Sequence, residues 1–247
     1  MKSARYLVPN SCTALSMLFG CASAIYSSSG QFELAAWLIL WGVLLDKLDG
    51  LMARLMNATS EFGVQFDSFA DFIVFGIAPA ALVYHRLAPL EQFQGALASA
   101  LLVSATGLYV VATAGRLARF NIVTMPNGDS LFYGVPTTLV GATLASGYLT
   151  CQVYGLSEDT VALFPIFLLI GAGAMVSNLR LPKLKSRQNP LIHWFQIINI
   201  GAVYTLTPLQ LWPEYLLALC IMYLAIGLTW GLMNPGEENL SPSGTTS

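Results

Sequence analysis

The chain has 247 residues, of which 55% are hydrophobic and only 10% charged, and a mean hydropathy of +0.65. Soluble domains carry about 25% charged residues, so this composition excludes an ordinary water-soluble globule and implies a membrane protein. A net charge of −2, with no lysine-rich or aspartate-rich tail, gives no electrostatic reason to expect a nucleic-acid partner.

A membrane-spanning helix needs about 20 mostly apolar residues. The first candidate runs from about Pro9 to Ser27 and stops at the turn signal Ser27-Ser28-Ser29-Gly30. Lys2 and Arg5 before an apolar run give this start the look of a signal peptide. Asn10, Ser11 and Thr13 interrupt it and more apolar runs follow, so it reads as an uncleaved first span.

The second span is expected from Phe32 to Arg54, and Asn57 to Glu61 form a short polar elbow. The third is expected from Val64 to Tyr84, with Asp67 and Asp71 in its first two turns. His85, Arg86 and Glu91 make the next connection. Span four covers Gly95 to Gly115, with Arg116, Arg119 and Asn121 at its end, and a polar loop follows through Pro126, Asn127, Gly128 and Asp129.

Span five is expected from Val135 to Tyr154 and span six from Val161 to Val176, with Glu158 and Asp159 in the turn between them. The basic stretch Arg180 to Arg187 precedes span seven, Leu191 to Leu206. Span eight runs from Tyr215 to Met233. Residues 1–233 thus read as one all-α, polytopic helical bundle of about eight spans, and 234–247 as a disordered polar tail rich in Pro, Gly, Ser, Thr and Glu. Cys12, Cys21, Cys151 and Cys220 lie in or beside apolar runs without a metal-ligand spacing, and read as small apolar residues.

Eight spans set an orientation. With the N-terminus in the cytoplasm, Lys2, Arg5, Lys47, Arg54, Arg116, Arg119, Arg180, Lys183, Lys185 and Arg187 all face inward. Of the 11 basic residues only Arg86 then lies outside. The expected place is the cytoplasmic membrane, with both termini on the cytoplasmic side. The basic 180–187 stretch reads as an orientation signal, with attraction to anionic lipid as a second role.

Four carboxylates stand out against this apolar background. Asp46 and Asp49 are spaced i, i+3 on one helix, and Asp67 and Asp71 i, i+4 on the next, so each pair shares a helical face. An acid at the centre of a membrane helix costs about 2.5–3.5 kcal/mol on insertion scales. A short elbow makes the two helices antiparallel neighbours, and four converging carboxylates suit a hard cation such as Mg²⁺ or Mn²⁺. Gly50 and Gly63 remove side chains, which admits a ligand or a close helix equally well, and Ala53 lies near Gly50. Arg54 carries a planar fork suited to phosphate. The competing explanation is that charges gather at helix ends where water is. It does not account for four acids spaced inward. Arg116, Arg119 and Asn121 are open to both readings, substrate contact or topology alone, and Asn10 is equally a helix cap.

Asp46-x2-Asp49-Gly50-x2-Ala53-Arg54-x8-Gly63-x3-Asp67-x3-Asp71 resembles, position for position, the signature of the CDP-alcohol phosphatidyltransferase family. The likeness to its serine-using bacterial branch extends through Leu7-Val-Pro9-Asn10, Ala58 to Gly63, Phe75 to Pro79, Arg116 to Asn121 and Gly134-Val-Pro136, over roughly the first 150 residues. The resemblance implies displacement of CMP from CDP-diacylglycerol by L-serine, giving phosphatidylserine. It implies Asp46, Asp49 and Asp67 as metal ligands and Asp71 as both a shared ligand of a second ion and the general base. It also implies Gly50, Ala53, Arg54 and Gly63 around the nucleotide and phosphates, a serine- or phosphate-binding role among Arg116, Arg119, Asn121 and Asn10, and a homodimer.

The same signature serves glycerol phosphate, inositol phosphate or choline as acceptor, and archaeal ether lipids as donor. Intramembrane prenyltransferases also use aspartate-rich helices but lack the Gly-x2-Ala-Arg pattern. An ion transporter would spread its acids over several helices at mid-membrane.

Overall fold

The computed structural model describes residues 4–122, 131–182 and 190–233. Among them the chain forms eight helical rods. The first two are α1 (Ala4–Ser28) and α2 (Phe32–Leu55). The third is continuous from Glu61 to Leu87 and is built of α3 (Glu61–Asp71), a π-helical turn (Phe72–Ile77) and α4 (Ala78–Leu87). Next come α5 (Ala96–Ile122) and α6 (Thr137–Val153). The sixth rod joins the single turn α7 (Glu158–Val161) to α8 (Phe164–Val176), and α9 (Pro190–Leu209) and α10 (Pro213–Met233) complete the set.

Five of these rods are long and apolar enough by themselves to cross a membrane. The other three have evident reasons to fall short. α2 carries Asp46, Lys47, Asp49 and Arg54, α6 has 17 residues, and α9 is interrupted by His193, Gln196 and Asn199. The architecture is the expected polytopic helical one.

Several boundaries move. α5 runs on to Ile122 instead of stopping at Gly115, because Leu117, Ala118 and the two arginines are good helix formers. Arg116, Arg119 and Asn121 therefore stand on a helix and not in a loop. The sixth rod breaks at Ala162–Leu163, just ahead of Pro165 at the start of α8. Arg180–Pro182, expected as loop, pairs antiparallel with Leu131–Tyr133. These two strands, β2 and β1, make a small ribbon linking the loops after α8 and α5. The loop through Pro126 to Asp129, residues 183–187 of the basic stretch, Lys2 and the tail 234–247 lie outside the described residues.

The elbow between α2 and α3 is a sharp reversal with its own caps. Asn57 takes a left-handed φ of 47°, and the Ala58 amide donates back to the Ala53 carbonyl at 2.8 Å, which closes the end of α2. Ser60 then caps α3, its hydroxyl accepting from the Gly63 amide at 3.0 Å.

The core gathers around the π turn. Val74, Phe75, Ala78, Ala35, Ala36, Ile39 and Tyr109 are fully buried there. Gly42 of α2 packs so tightly on Val74 that a Cβ would collide with its Cγ1, and a Cβ on Gly20 of α1 would lie 2.9 Å from the Val74 Cα. Gly141 and Gly171 also serve close packing inside the chain, against Phe75 and Val140. On the outer side of α5, Leu97, Leu101, Leu108 and Val111 are exposed, as a lipid-facing stripe requires. All four cysteines are free.

Candidate active site

The last turns of α2 and the first turns of α3 meet at one end of the bundle. Carboxylate oxygens of Asp46, Asp49 and Asp67 all lie within 4.8 Å of one another. Asp49 is 6% exposed, and the Asp46 side chain is nearly as enclosed. Three carboxylates this close repel one another and need a cation. The chain's own Lys47 supplies part of it, its Nζ lying 2.6 Å from Asp46 Oδ2. Hard oxygen donors at this separation fit a divalent ion of the Mg²⁺ or Mn²⁺ kind.

Asp71 sits one turn further along α3, half-buried and outside that tight triad. It lies within electrostatic reach of Asp46, Asp67, Lys47 and Arg116. The π turn begins immediately after it. A π turn breaks the regular i→i−4 bonding, and such turns recur at functional sites. The Phe75 carbonyl inside the turn accepts a 2.6 Å hydrogen bond from the Tyr109 hydroxyl of α5.

The small residues lie beside the acids in the same helix ends. Arg54 folds back so that its Nη1 lies 3.6 Å from the position a Cβ on Gly50 would take, and Ala53 is half-buried next to it in sequence. At Gly63 the corresponding position is 3.1 Å from Ser60 Oγ and 3.6 Å from Asn10 Oδ1, so Asn10 of α1 reaches the entry of α3.

The three polar residues of α5 separate into different jobs. Arg116 is only 8% exposed. It donates from Nη1 to Thr137 Oγ1 at 3.2 Å and stacks 5.6 Å from the Phe120 ring, while its Nε has no partner. It lies within electrostatic reach of Asp71 and Asp46. Arg119 instead closes the end of α8, donating to the Val176 carbonyl at 3.2 Å and to Asn178 Oδ1 at 2.7 Å. Asn121 donates to Ser68 Oγ at 2.9 Å and lies 3.4 Å from Gln65 Oε1, which ties α5 to α3.

Two participants escape sequence reasoning. Thr13 of α1 donates to Asp49 Oδ2 at 2.6 Å, and Thr137 of α6 holds Arg116. Thr13 had a signal, since it lies three residues from Asn10 on one helical face. Thr137 had none, because only packing brings α6 against α5.

Residues 6–176 match the CDP-alcohol phosphatidyltransferase family, and that span contains every residue of the acidic site. The chain belongs to this family. Among the relatives, the CDP-diacylglycerol–serine O-phosphatidyltransferase of Helicobacter pylori is 39% identical over 181 residues, 73% of either chain. The enzyme of the same name from Methanocaldococcus jannaschii is 30% identical over 191 residues, 77% of this chain and 81% of the relative. The archaetidylserine synthase of Methanothermobacter thermautotrophicus is 31% identical over 179 residues, 72% of this chain and 70% of the relative.

Proposed function

We propose that this protein is a metal-dependent transferase of phospholipid biosynthesis that moves the phosphatidyl group from CDP-diacylglycerol to L-serine, releasing phosphatidylserine and CMP. The observation that carries the reading is the convergence of Asp46, Asp49 and Asp67 beside a buried, incompletely paired Arg116. The names of the relatives supply the acceptor, serine.

The substrate pair explains the setting. A CDP-lipid keeps its tails in the bilayer and presents a pyrophosphate at the interface, and serine arrives from water. Residues 1–233 form the transferase unit in the cytoplasmic membrane, with the site on the cytoplasmic side and the chain paired as a homodimer. Asp46, Asp49 and Asp67 would hold a first divalent cation, and Asp71 would share in a second. Bound Mg²⁺ or Mn²⁺ supplies positive charge against the pyrophosphate oxygens.

The chain's own groups do the remaining work. Arg54, folded over Gly50, offers paired donors to a phosphate, and the bare backbone at Gly50 and Gly63 admits the nucleotide. Arg116, within electrostatic reach of the acids, is the guanidinium for the serine carboxylate. Asp71 takes the proton of the serine hydroxyl as its oxygen bonds to phosphorus and the bond to the CMP oxygen breaks. A carboxylate is a far weaker base than an alkoxide, so proton removal accompanies attack and does not precede it.

The deciding experiment incubates the purified protein, with Mn²⁺ or Mg²⁺, with CDP-diacylglycerol and each candidate alcohol. Serine-dependent CMP release with phosphatidylserine as the lipid product is expected, and equal or greater release with glycerol phosphate, inositol phosphate or choline overturns the choice of serine. The archaeal relative at 31% identity motivates one added arm, an ether-linked CDP-lipid. A higher kcat/KM with that donor moves the assignment to archaetidylserine.

A further inference from the structure

We infer that Thr13 is a positioning residue of the metal site, placed by a ladder of hydroxyls on α1 and acting by engaging one oxygen of Asp49 so that the other faces the cation. The inference rests on the reading of Asp46, Asp49 and Asp67 as metal ligands.

Thr13, Ser16 and Ser23 are all buried on one side of α1, and each hydroxyl crosses to α2. Ser23 donates to the Ala35 carbonyl at 2.8 Å and Ser16 to the Gly42 carbonyl at 3.2 Å. Thr13 donates to Asp49 Oδ2 at 2.6 Å. Rising numbers on α1 meet falling numbers on α2, so the three bonds fix the register of an antiparallel pair. Ser16 and Ser23 reach backbone carbonyls of α2 and can do nothing but hold the helices. Thr13 reaches a side chain of the acidic triad.

The identity of the residue suits that task. Thr13 is 4% exposed, and its single hydroxyl hydrogen goes to Asp49 Oδ2, the nearer acceptor at 2.6 Å, ahead of the Pro9 carbonyl at 3.1 Å. Its branched Cβ leaves few rotamers in a helix. A rigid hydroxyl on a buried carboxylate makes a short, charge-assisted bond. It stops the carboxylate from turning. Outer groups that orient metal ligands typically account for about 10- to 100-fold in metal affinity.

The test measures Mn²⁺ binding to the full-length protein in detergent by electron paramagnetic resonance, without substrate. Circular dichroism checks that each variant is folded. T13V keeps the shape and loses the hydroxyl, and is expected to bind Mn²⁺ about 10- to 100-fold more weakly. T13S is expected to restore binding to within about threefold of the parent chain, because the donor returns. S23A removes a rung that only holds the helices and is expected to leave Mn²⁺ affinity unchanged.

Should T13V not be recovered folded, T13A carries the same expectation. Wild-type affinity in folded T13V or T13A overturns the inference. Equal losses in T13V and S23A overturn it as well, because helix packing would then be the cause. A parent chain that binds no Mn²⁺ removes the ligand reading itself, a result distinct from either of these.

Discussion

Arg116 uses part of its guanidinium to hold the fold and leaves another part without a partner. Its Nη1 is used by Thr137 and its face by Phe120, while Nε remains unpaired in a nearly closed environment near Asp71. A hydrogen bond to a charged group contributes about 1.5–3 kcal/mol, equivalent to about 10- to 100-fold in an equilibrium constant. R116Q is expected to raise the KM for serine by about that factor and to leave the KM for the CDP-lipid within about threefold, as steady-state kinetics with each substrate varied would show. Equal rises in both would place Arg116 on the lipid phosphate instead. The acids differ by position. D71N is expected to lower kcat by about 10²- to 10⁴-fold, the range of a lost general base, with CDP-lipid binding retained. D46N is expected to raise the Mn²⁺ requirement and weaken CDP-lipid binding together, measured by metal titration and equilibrium binding. Near-normal turnover of either variant would remove the assignment. At this scale the acids were legible in the sequence, because i, i+3 and i, i+4 spacing dictates a shared face. The division of labour among Arg116, Arg119 and Asn121 was not. An arginine near a helix end looks the same in sequence whether it meets substrate or closes α8.

Among the elements, the rod from Glu61 to Leu87 has most to reconcile, since its first half carries two acids and its second half is core. The π turn Phe72–Ile77 divides the two, and Tyr109 takes up the Phe75 carbonyl within it. Y109F leaves that buried carbonyl without its partner, at a cost of about 1–3 kcal/mol. It is expected to lower the apparent Tm in detergent by several degrees and to reduce turnover by disturbing Asp71, checked by a thermal unfolding assay and by kcat. Unchanged Tm and kcat would mean that the turn needs no such support. The sequence foresaw a helix here and not a π turn, because one extra residue per turn leaves no mark in an apolar run. It is the packing of Gly20 and Gly42 on Val74 that accompanies the turn. The elbow was better foreseen. Asn57 and Ser60 act through local backbone chemistry, which sequence does carry.

For the whole molecule, eight crossings, one for each rod among the described residues, would return the chain to the side on which it started. With the acidic site, Arg54 and Arg116 at one end and Arg86 paired with Glu158 at 3.4 Å elsewhere, the charge distribution predicts both termini in the cytoplasm. A fluorescent protein fused after Ser247 is expected to glow. Alkaline phosphatase inserted near Glu91, between α4 and α5, is expected to be active. The reverse pattern would turn the molecule over and place serine chemistry on the wrong face.

The sequence by itself determined the membrane class and the eight-rod plan through apolar length, and the 26 residues from Asp46 to Asp71 pointed to the reaction family by their resemblance to its signature. Only the tertiary structure decided which distant residues serve the acids. Thr13 holds Asp49, Arg116 turns inward on Thr137, and Arg119 and Asn121 are drawn into holding helices together. The reason is physical. Backbone spacing fixes which side chains share a face, but a polar side chain's partner is set by whichever helix packs against that face.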